Sequence, residues 1–270
     1  MMRRFTKMHG LGNDFVVIEA QHHEPLPTAT TWRAIANRHT GIGFDQALVI
    51  LPPRESGSVA SYRIFNADGG EVEQCGNGAR CVAEWLRLSG RLSSSLENVI
   101  HLDSLGGRVE ARFGVPGTVS VNMGVPLFPT AGSTTLSLGD REVTFTEVSM
   151  GNPHIVLRVD NVGTALVATL GPALESHPRF PKRTNVGFLE VIDRTHARLR
   201  VFERGVGETL ACGTGACAAV ATGIRSGWFA EDVEVRLPGG SLQISWADGH
   251  SPCWMTGPAA VAFQGEINIL

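Results

Sequence analysis

Lysine is scarce in these 270 residues: only Lys7 and Lys182 occur, in a chain of net charge −3 and pI near 6.3. No basic excess is available to neutralise a phosphate backbone, so nucleic acid is not expected as a partner. Pyridoxal phosphate chemistry needs a lysine Schiff base, and neither lysine sits in a phosphate-binding context. No apolar run approaches the roughly 20 residues of a membrane helix. Arg3, Arg4 and Lys7 open the chain without an apolar h-region behind them, so no secretory leader is expected. The Gly-X-Gly runs do not extend to G-x-G-x-x-G followed by an acidic residue about 20 positions on, which removes the dinucleotide reading. Cysteines number five, an odd count that fits reduced thiols in a cytoplasm better than a secreted disulfide framework. The intervals Cys75 to Cys81 and Cys212 to Cys217 lack the short C-x₂₋₄-C of a structural zinc site, so no metal is expected.

What the chain does have is itself, twice. The segment from Tyr62 to Gly90 lies over Leu199 to Gly227 without a gap, at a constant offset of 137 positions (212 − 75). Arg63, Phe65, Gly70, Glu71, Cys75, Gly76, Gly78 and Ala79 meet the same residue types at Arg200, Phe202, Gly207, Glu208, Cys212, Gly213, Gly215 and Ala216. Two weaker echoes keep the same order. Gly12-Asn13 with Phe15 to Ile18 resembles Gly151-Asn152 with His154 to Leu157, and Thr40 to Phe44 resembles Thr184 to Phe188. Three blocks in one order, twice, indicate an internal duplication. The expected halves are residues 1–122, with a C-terminal return of 265–270, and residues 123–264; Gly124, Pro126 and Pro129 mark the break.

Short β-branched or aromatic runs between turn residues predict strands over Phe15–Glu19, Ala47–Leu51, Arg63–Phe65, Val119–Asn122, Glu142–Phe145, Ile155–Val159, Arg198–Phe202 and Val233–Leu237. The clearest helices are Gly78–Leu88 and Gly215–Ser226, each just after a Cys-Gly-X-Gly turn. Both lack a full polar face, which points to burial and makes Cys81 and Cys217 small packed hydrophobes. The fold expected is mixed α and β, two pseudo-symmetric domains, each a sheet wrapped around a buried helix.

Cys75 and Cys212 differ from the other cysteines by lying ahead of those helices. First-turn N–H groups have no intrahelical partner, and the macrodipole adds partial positive charge, so a thiolate and a bound carboxylate are both stabilised there. The flanking glycines let backbone donors come close to such an anion. Two such turns facing each other would hold one carboxylate and set a sulfur on each side of its α-carbon. That is the arrangement needed to invert a stereocentre, with a base on one face and an acid on the other, while the N–H groups stabilise charge developing on the carboxylate.

The chain resembles the diaminopimelate epimerases, in blocks along nearly its whole length: MHGLGNDFVVIE from Met8, GFDQ from Gly43, FNADGGEVEQCGNGARC from Phe65, GNPH from Gly151, RTNVGF from Arg183 and ERGVGETLACGTGAC from Glu203. The resemblance implies two α/β domains, each a curved, barrel-like, mainly antiparallel sheet around a central helix, with the active site in the cleft between them. It also implies no metal or organic cofactor, a homodimer, and interconversion of LL- and meso-diaminopimelate on the route to lysine and peptidoglycan. Cys75 and Cys212 then become the acid–base thiols. Gly76, Asn77, Gly213 and Thr214 hold the reacting carboxylate through backbone N–H groups. Asn13, Asn66, Asn152, Asn185 and Arg204 orient the substrate and read its distal, L-configured end, Glu203 faces an ammonium group with Gln46 close by among the substrate-binding residues, and His154 supports the thiols. Asparagines with one Arg and one Glu give a zwitterion donors and acceptors without excess charge.

Three other readings compete. A proline racemase or hydroxyproline epimerase would share the paired cysteines but needs a small, more apolar pocket, against Asn152, Asn185 and Arg204. A phenazine-biosynthesis-type isomerase would not retain Cys75 and Cys212. A non-catalytic amino-acid-binding protein would keep its affinity after Cys75→Ala.

Overall fold

The computed structural model describes residues 2–73, 75–92, 98–247 and 249–268; of the expected return 265–270, residues 269 and 270 lie outside this set. Two units are distinguished, Met1–Val121 with Gly257–Leu270, and Asn122–Thr256.

The first unit contains β1 (Met2–Gly10), β2 (Asn13–Glu19), α1 (Ala29–Ala36), β3 (Gln46–Leu51), β4 (Ala60–Asn66), β5 (Glu71–Val72), α2 (Gly76–Leu88), β6 (Val99–Ser104), β7 (Gly107–Phe113) and β8 (Thr118–Asn122). Pairing is antiparallel for β1–β2, β3–β4, β4–β5, β6–β7 and β7–β8, and parallel for β2–β3 and β4–β6. A C-terminal strand, Ala260–Asn268, runs antiparallel along β1.

The second unit contains β9 (Ser133–Leu138), β10 (Arg141–Ser149), β11 (Pro153–Arg158), α3 (Val167–Glu175), β12 (Asn185–Val191), β13 (His196–Glu203), β14 (Gly207–Thr209), α4 (Gly213–Arg225), β15 (Asp232–Leu237), β16 (Gly240–Ser245) and most of β17 (Trp254–Pro258), whose last two residues belong to the first unit. From β10 to β17 the pairings repeat those of β1 to β8 one by one, including the two parallel ones, β11–β12 and β13–β15. Strand β9 lies along β10 as the C-terminal strand lies along β1. The duplication read from the cysteine blocks is thus a duplication of hydrogen-bond topology, but the echo of Thr40–Phe44 in Thr184–Phe188 is not part of it, since the strand equivalent to the one opened by Asn185 opens at Gln46.

Strand composition follows from what covers each face. Val233, Val235 and Leu237 of β15 are buried while Asp232, Glu234 and Arg236 are exposed, the alternation of a strand with one wet face. In β2 the run Phe15–Ile18 is buried throughout because helices cover both sides. Val16 and Ile18 pack with Ala47, Val49 and Phe65 against Trp32 and Ile35 of α1. On the other side α2 packs on β1, β2, β3 and β7. In the second unit α3 covers Ile155, Leu157, Val186 and Phe188, while α4 packs on β10, β11, β12, β13, β15 and β16. The run Ala216–Ala221 of α4 is wholly buried, small residues letting a sheet wrap closely around a helix.

Both central helices begin two residues earlier than their sequence pattern suggests, at Gly76 and Gly213. The glycines taken for turn residues supply the helices' first turns. The cysteines before them are N-caps, with extended backbones at φ −147°, ψ 112° for Cys75 and φ −121°, ψ 106° for Cys212.

Candidate functional site

The matched ion pairs of the two repeats explain how each cysteine is delivered to its helix. Arg63 of β4 forks onto Glu71 of β5 at 2.6 and 2.7 Å, and Arg200 of β13 forks onto Glu208 of β14 at 2.6 and 2.8 Å. Each clamp closes a hairpin that leads directly into the N-cap. A bidentate guanidinium–carboxylate pair fixes geometry as well as adding attraction.

In the first unit Cys75 is half-buried, and its sulfur accepts the Gly78 N–H at 3.4 Å. Gly76 and Asn77 are buried in the first turn of α2. The Asn77 side-chain NH₂ donates to Asn13 Oδ1 at 3.2 Å, and the Asn13 NH₂ donates to Asp45 Oδ2 at 3.0 Å. Gln46 Nε2 donates to Asn66 Oδ1 at 2.9 Å across the β3–β4 pair. Gln46 Oε1 is buried and has no hydrogen-bond partner among the described residues. So Cys75, Gly76, Asn77, Asn13, Gln46 and Asn66 belong to one unit and are linked in two chains, Asn77–Asn13 and Gln46–Asn66.

In the second unit Cys212 is 4 % exposed. Its sulfur lies 3.7 Å from the Thr214 hydroxyl. A Cβ at Gly215 would stand 3.2 Å from that sulfur, tighter than ordinary contact, so glycine keeps the space around it. Burial, and after it the negative charge of Glu203, push the Cys212 thiol well above its ordinary range. Glu203 itself accepts the Thr209 hydroxyl at 2.5 Å. Asn152 Nδ2 donates to Thr214 Oγ1 at 3.4 Å, and His154 Nε2 lies 3.0 Å from Asn152 Oδ1. His154 therefore reaches the sulfur through Asn152 and Thr214 rather than by touching it. Asn185 is buried and spends its amide on main chain, donating to Pro153 O at 2.9 Å and accepting the Arg204 N–H at 3.0 Å. The exposed Arg204 guanidinium donates to Lys182 O at 3.2 Å.

The two constellations correspond position by position. Asn13 and Asn152 open β2 and precede β11, Gln46 and Asn185 open β3 and β12, Asn66 and Glu203 end β4 and β13, and Asn77 and Thr214 are second in α2 and α4. Pairing registers agree, since Phe15 lies opposite Gln46 as His154 lies opposite Asn185. Each repeat thus carries four polar side chains at equivalent places in its strands and central helix.

Burial, with the charge of Arg204 adding to it, pushes the His154 imidazole down to about 3. It is neutral at physiological pH, and its Nε2–H is the donor to Asn152. In the unfolded chain the same ring takes a proton near its ordinary 6.5. Stability from this group is therefore complete above pH 6.5 and is lost as pH falls toward 3, at about 1.4 kcal/mol per pH unit. Urea unfolding between pH 6.5 and 4.5 checks this, and His154→Gln is expected to flatten the slope by about 1 kcal/mol per unit.

Sequence reading leaves Asp14 outside the site and does not single out Asp45, Arg38 or Glu175. Arg38 forks onto Asp14 at 2.8 Å and also reaches Asp45 at 2.8 Å, while Lys7 bonds Asp14 at 2.5 Å and the Gly43 carbonyl. Burial raises the Asp14 carboxyl, but the hydrogen bonds from Arg38 and Lys7 outweigh it and hold the group well below the usual carboxylate range. Glu175 accepts the Gly205 N–H at 2.9 Å and so holds the turn that carries Glu203 and Arg204. The only sequence signal for Asp45 was its place inside GFDQ, next to Gln46.

The family model described as diaminopimelate epimerase matches residues 5–128 and 146–262. Diaminopimelate epimerases of Ectopseudomonas mendocina and Nitrosomonas europaea are each 50 % identical to this chain, over 282 and 279 residues, covering all of both chains. Among solved structures, a hydroxyproline epimerase from Agrobacterium vitis superposes with TM-score 0.76 at 17 % identity, covering 98 % of this chain and 92 % of that one. A phenazine biosynthesis protein of the PhzF family from Bacillus anthracis gives 0.74 at 16 % identity, covering all of both chains. At such identities these two share the fold.

Proposed function

Because the chain belongs to the diaminopimelate epimerase family, we propose that Cys75 and Cys212 are the two acid–base groups of its reaction. It epimerises diaminopimelate in lysine biosynthesis and needs no pyridoxal phosphate. The observation that carries the residue assignment is the placement of both thiols as N-caps of the equivalent central helices, ahead of Gly76-Asn77 and Gly213-Thr214. First-turn N–H groups at these positions suit the carboxylate on which charge develops as the α-proton leaves.

In the proposed reaction one sulfur takes the α-proton as thiolate and the other delivers a proton to the opposite face. Burial and Glu203 raise the Cys212 thiol and so favour its protonated form, which suits it to the acid role in one direction of the reaction. Reversal of the reaction exchanges the roles. A substrate ammonium bound at Glu203 would offset the anionic push on Cys212, linking occupancy of the site to the ease of deprotonating that thiol. The Oε1 of Gln46, without a partner among the described residues, supports a ligand that brings its own donors.

The stereochemistry proposed is LL- to meso-2,6-diaminopimelate, which also feeds peptidoglycan precursors. No helix among the described residues is long and apolar enough to cross a membrane, and a cytoplasmic homodimer completes the proposal. Proton NMR in heavy water, with LL-diaminopimelate and proline in parallel, tests the substrate. Loss of the diaminopimelate α-proton signal with growth of the meso isomer is expected. Exchange of proline alone would overturn the substrate assignment.

A further inference from the structure

We infer that Asp45 is a positioning residue for substrate binding, which sets the polarity of the Asn13 carboxamide and through it holds Asn77 at the head of α2. The inference rests on the proposed substrate-binding role of Asn13 and Asn77. Carbonyl and amino ends of an asparagine are nearly alike in shape, so the side chain can present either end unless a neighbour accepts only one. Asp45 is such a neighbour. Its ionised carboxylate has no proton to donate, so the atom of Asn13 at 3.0 Å from Oδ2 has to be the NH₂. Asn13 Oδ1 must then face Asn77, and it accepts the Asn77 NH₂ at 3.2 Å. A flipped Asn13 would set oxygen against carboxylate at one end and NH₂ against NH₂ at the other.

Asp45 is itself held on several sides. Its Oδ2 accepts the Asp14 N–H at 3.1 Å, its own N–H donates to Asp14 Oδ1 at 2.9 Å, and Arg38 donates to its Oδ1 at 2.8 Å. These exchanges tie the entry to β3 to the entry to β2, where Asn13 begins the strand. The Arg38 guanidinium, shared with Asp14, fixes the Asp45 carboxylate in place. A fixed donor-and-acceptor polarity beside the carboxylate-binding turn presents the substrate with one arrangement of charge instead of two.

The test compares Asp45→Ala, Asp45→Asn, Asn13→Ala and the Asn13→Ala/Asp45→Ala double variant in LL-diaminopimelate turnover and in ¹⁵N–¹H spectra of the side-chain amides. Asp45→Ala is expected to lower kcat/KM about tenfold, the worth of one well-placed hydrogen bond. Asp45→Asn, which can present its NH₂ as readily as its oxygen and sets an NH₂ against either Asn13 or Arg38, is expected to recover little of that loss. In the Asn13→Ala background Asp45→Ala is expected to add less than a twofold change, because its effect passes through Asn13. The Asn13 amide signals, identified by their loss in Asn13→Ala, should move in Asp45→Ala without substrate present. Additive losses in the double variant, or unmoved Asn13 signals, would overturn the inference and leave the family function standing. Full activity in Asn13→Ala would instead overturn the substrate-binding role of Asn13, and the catalytic half of this inference with it.

Discussion

Cys212→Ala is expected to lose epimerisation by on the order of 10²–10⁴-fold or more, the range for removing a positioned general acid or base. Cys75→Ala is expected to lose as much, because inversion needs both faces served. The fold should survive either change. Cys212 sits at a helix cap, where alanine costs about 0.5–2 kcal/mol of helix stability, and the caps are ordered by the Arg63–Glu71 and Arg200–Glu208 clamps. Cys81 and Cys217 serve as internal controls. Both are fully buried inside α2 and α4. Cys81 is pushed up to about 12 by its burial, which makes it an inert hydrophobe at neutral pH. Cys81→Ala and Cys217→Ala should keep near-normal turnover with a modest loss of stability. Initial rates with circular dichroism melts check the set, and near-normal turnover in Cys212→Ala would sink the two-thiol mechanism.

The second large effect is on stability, at Gly69. This residue has φ +85°, and a Cβ there would lie 2.5 Å from the Ala29 Cα at the start of α1. The obstacle is backbone, so no rotamer change relieves it. Gly69→Ala combines left-handed strain of about 1–2 kcal/mol with an overpacking cost of about 1–3 kcal/mol. The whole is a large share of a typical domain's stability. Gly139, in the β9–β10 turn at φ +59°, has nothing within 4 Å of its would-be Cβ. Gly139→Ala should therefore cost only the strain, about 1–2 kcal/mol. Urea titrations of the two variants should give clearly different midpoints; equal shifts would show that the contact with Ala29 carries no weight. Since Asn66 and Gly69 share the loop that leads to Cys75, Gly69→Ala is also expected to lower activity.

Residue pattern alone made some of this legible, and the reasons differ by element. The duplication and the two central helices stood out because they are local: a Cys-Gly-X-Gly block and an apolar run follow each other in sequence, twice. The mixed α and β class with a sheet around a buried helix followed from them, and the repeated strand pairings agree. Helix α1 escaped notice because it is only eight residues long, announced by Thr28 accepting the Thr31 N–H at 3.2 Å and by little else. Helix α3 was hidden by Gly171 and Pro172, both of which argue against helix locally. Tertiary packing overrides them: a Cβ at Gly171 would lie 2.6 Å from the Phe202 ring, so the glycine is what lets the helix sit on β13.

At the site, the thiols and the Asn, Gln, Glu and Arg residues could be named because the motifs carry them. How they are held could not. The lattice of Lys7, Asp14, Arg38 and Asp45 draws on positions up to 38 residues apart (45 − 7), and no local spacing announces such a cluster. Nor does sequence reveal that Asn185 spends its amide on the main chain of Pro153 and Arg204, or that His154 acts on Asn152 rather than on sulfur.

The most direct test of the central claim follows deuterium during the first few per cent of reaction in heavy water, starting from LL-diaminopimelate and then from the meso isomer. With two acid–base thiols, the sulfur that removes the proton is not the one that returns one. Deuterium should therefore appear in the newly formed epimer while the remaining substrate keeps its α-proton, in both directions. Deuterium entering recovered substrate as fast as product would mean that one group serves both faces, and would contradict the pairing of Cys75 with Cys212.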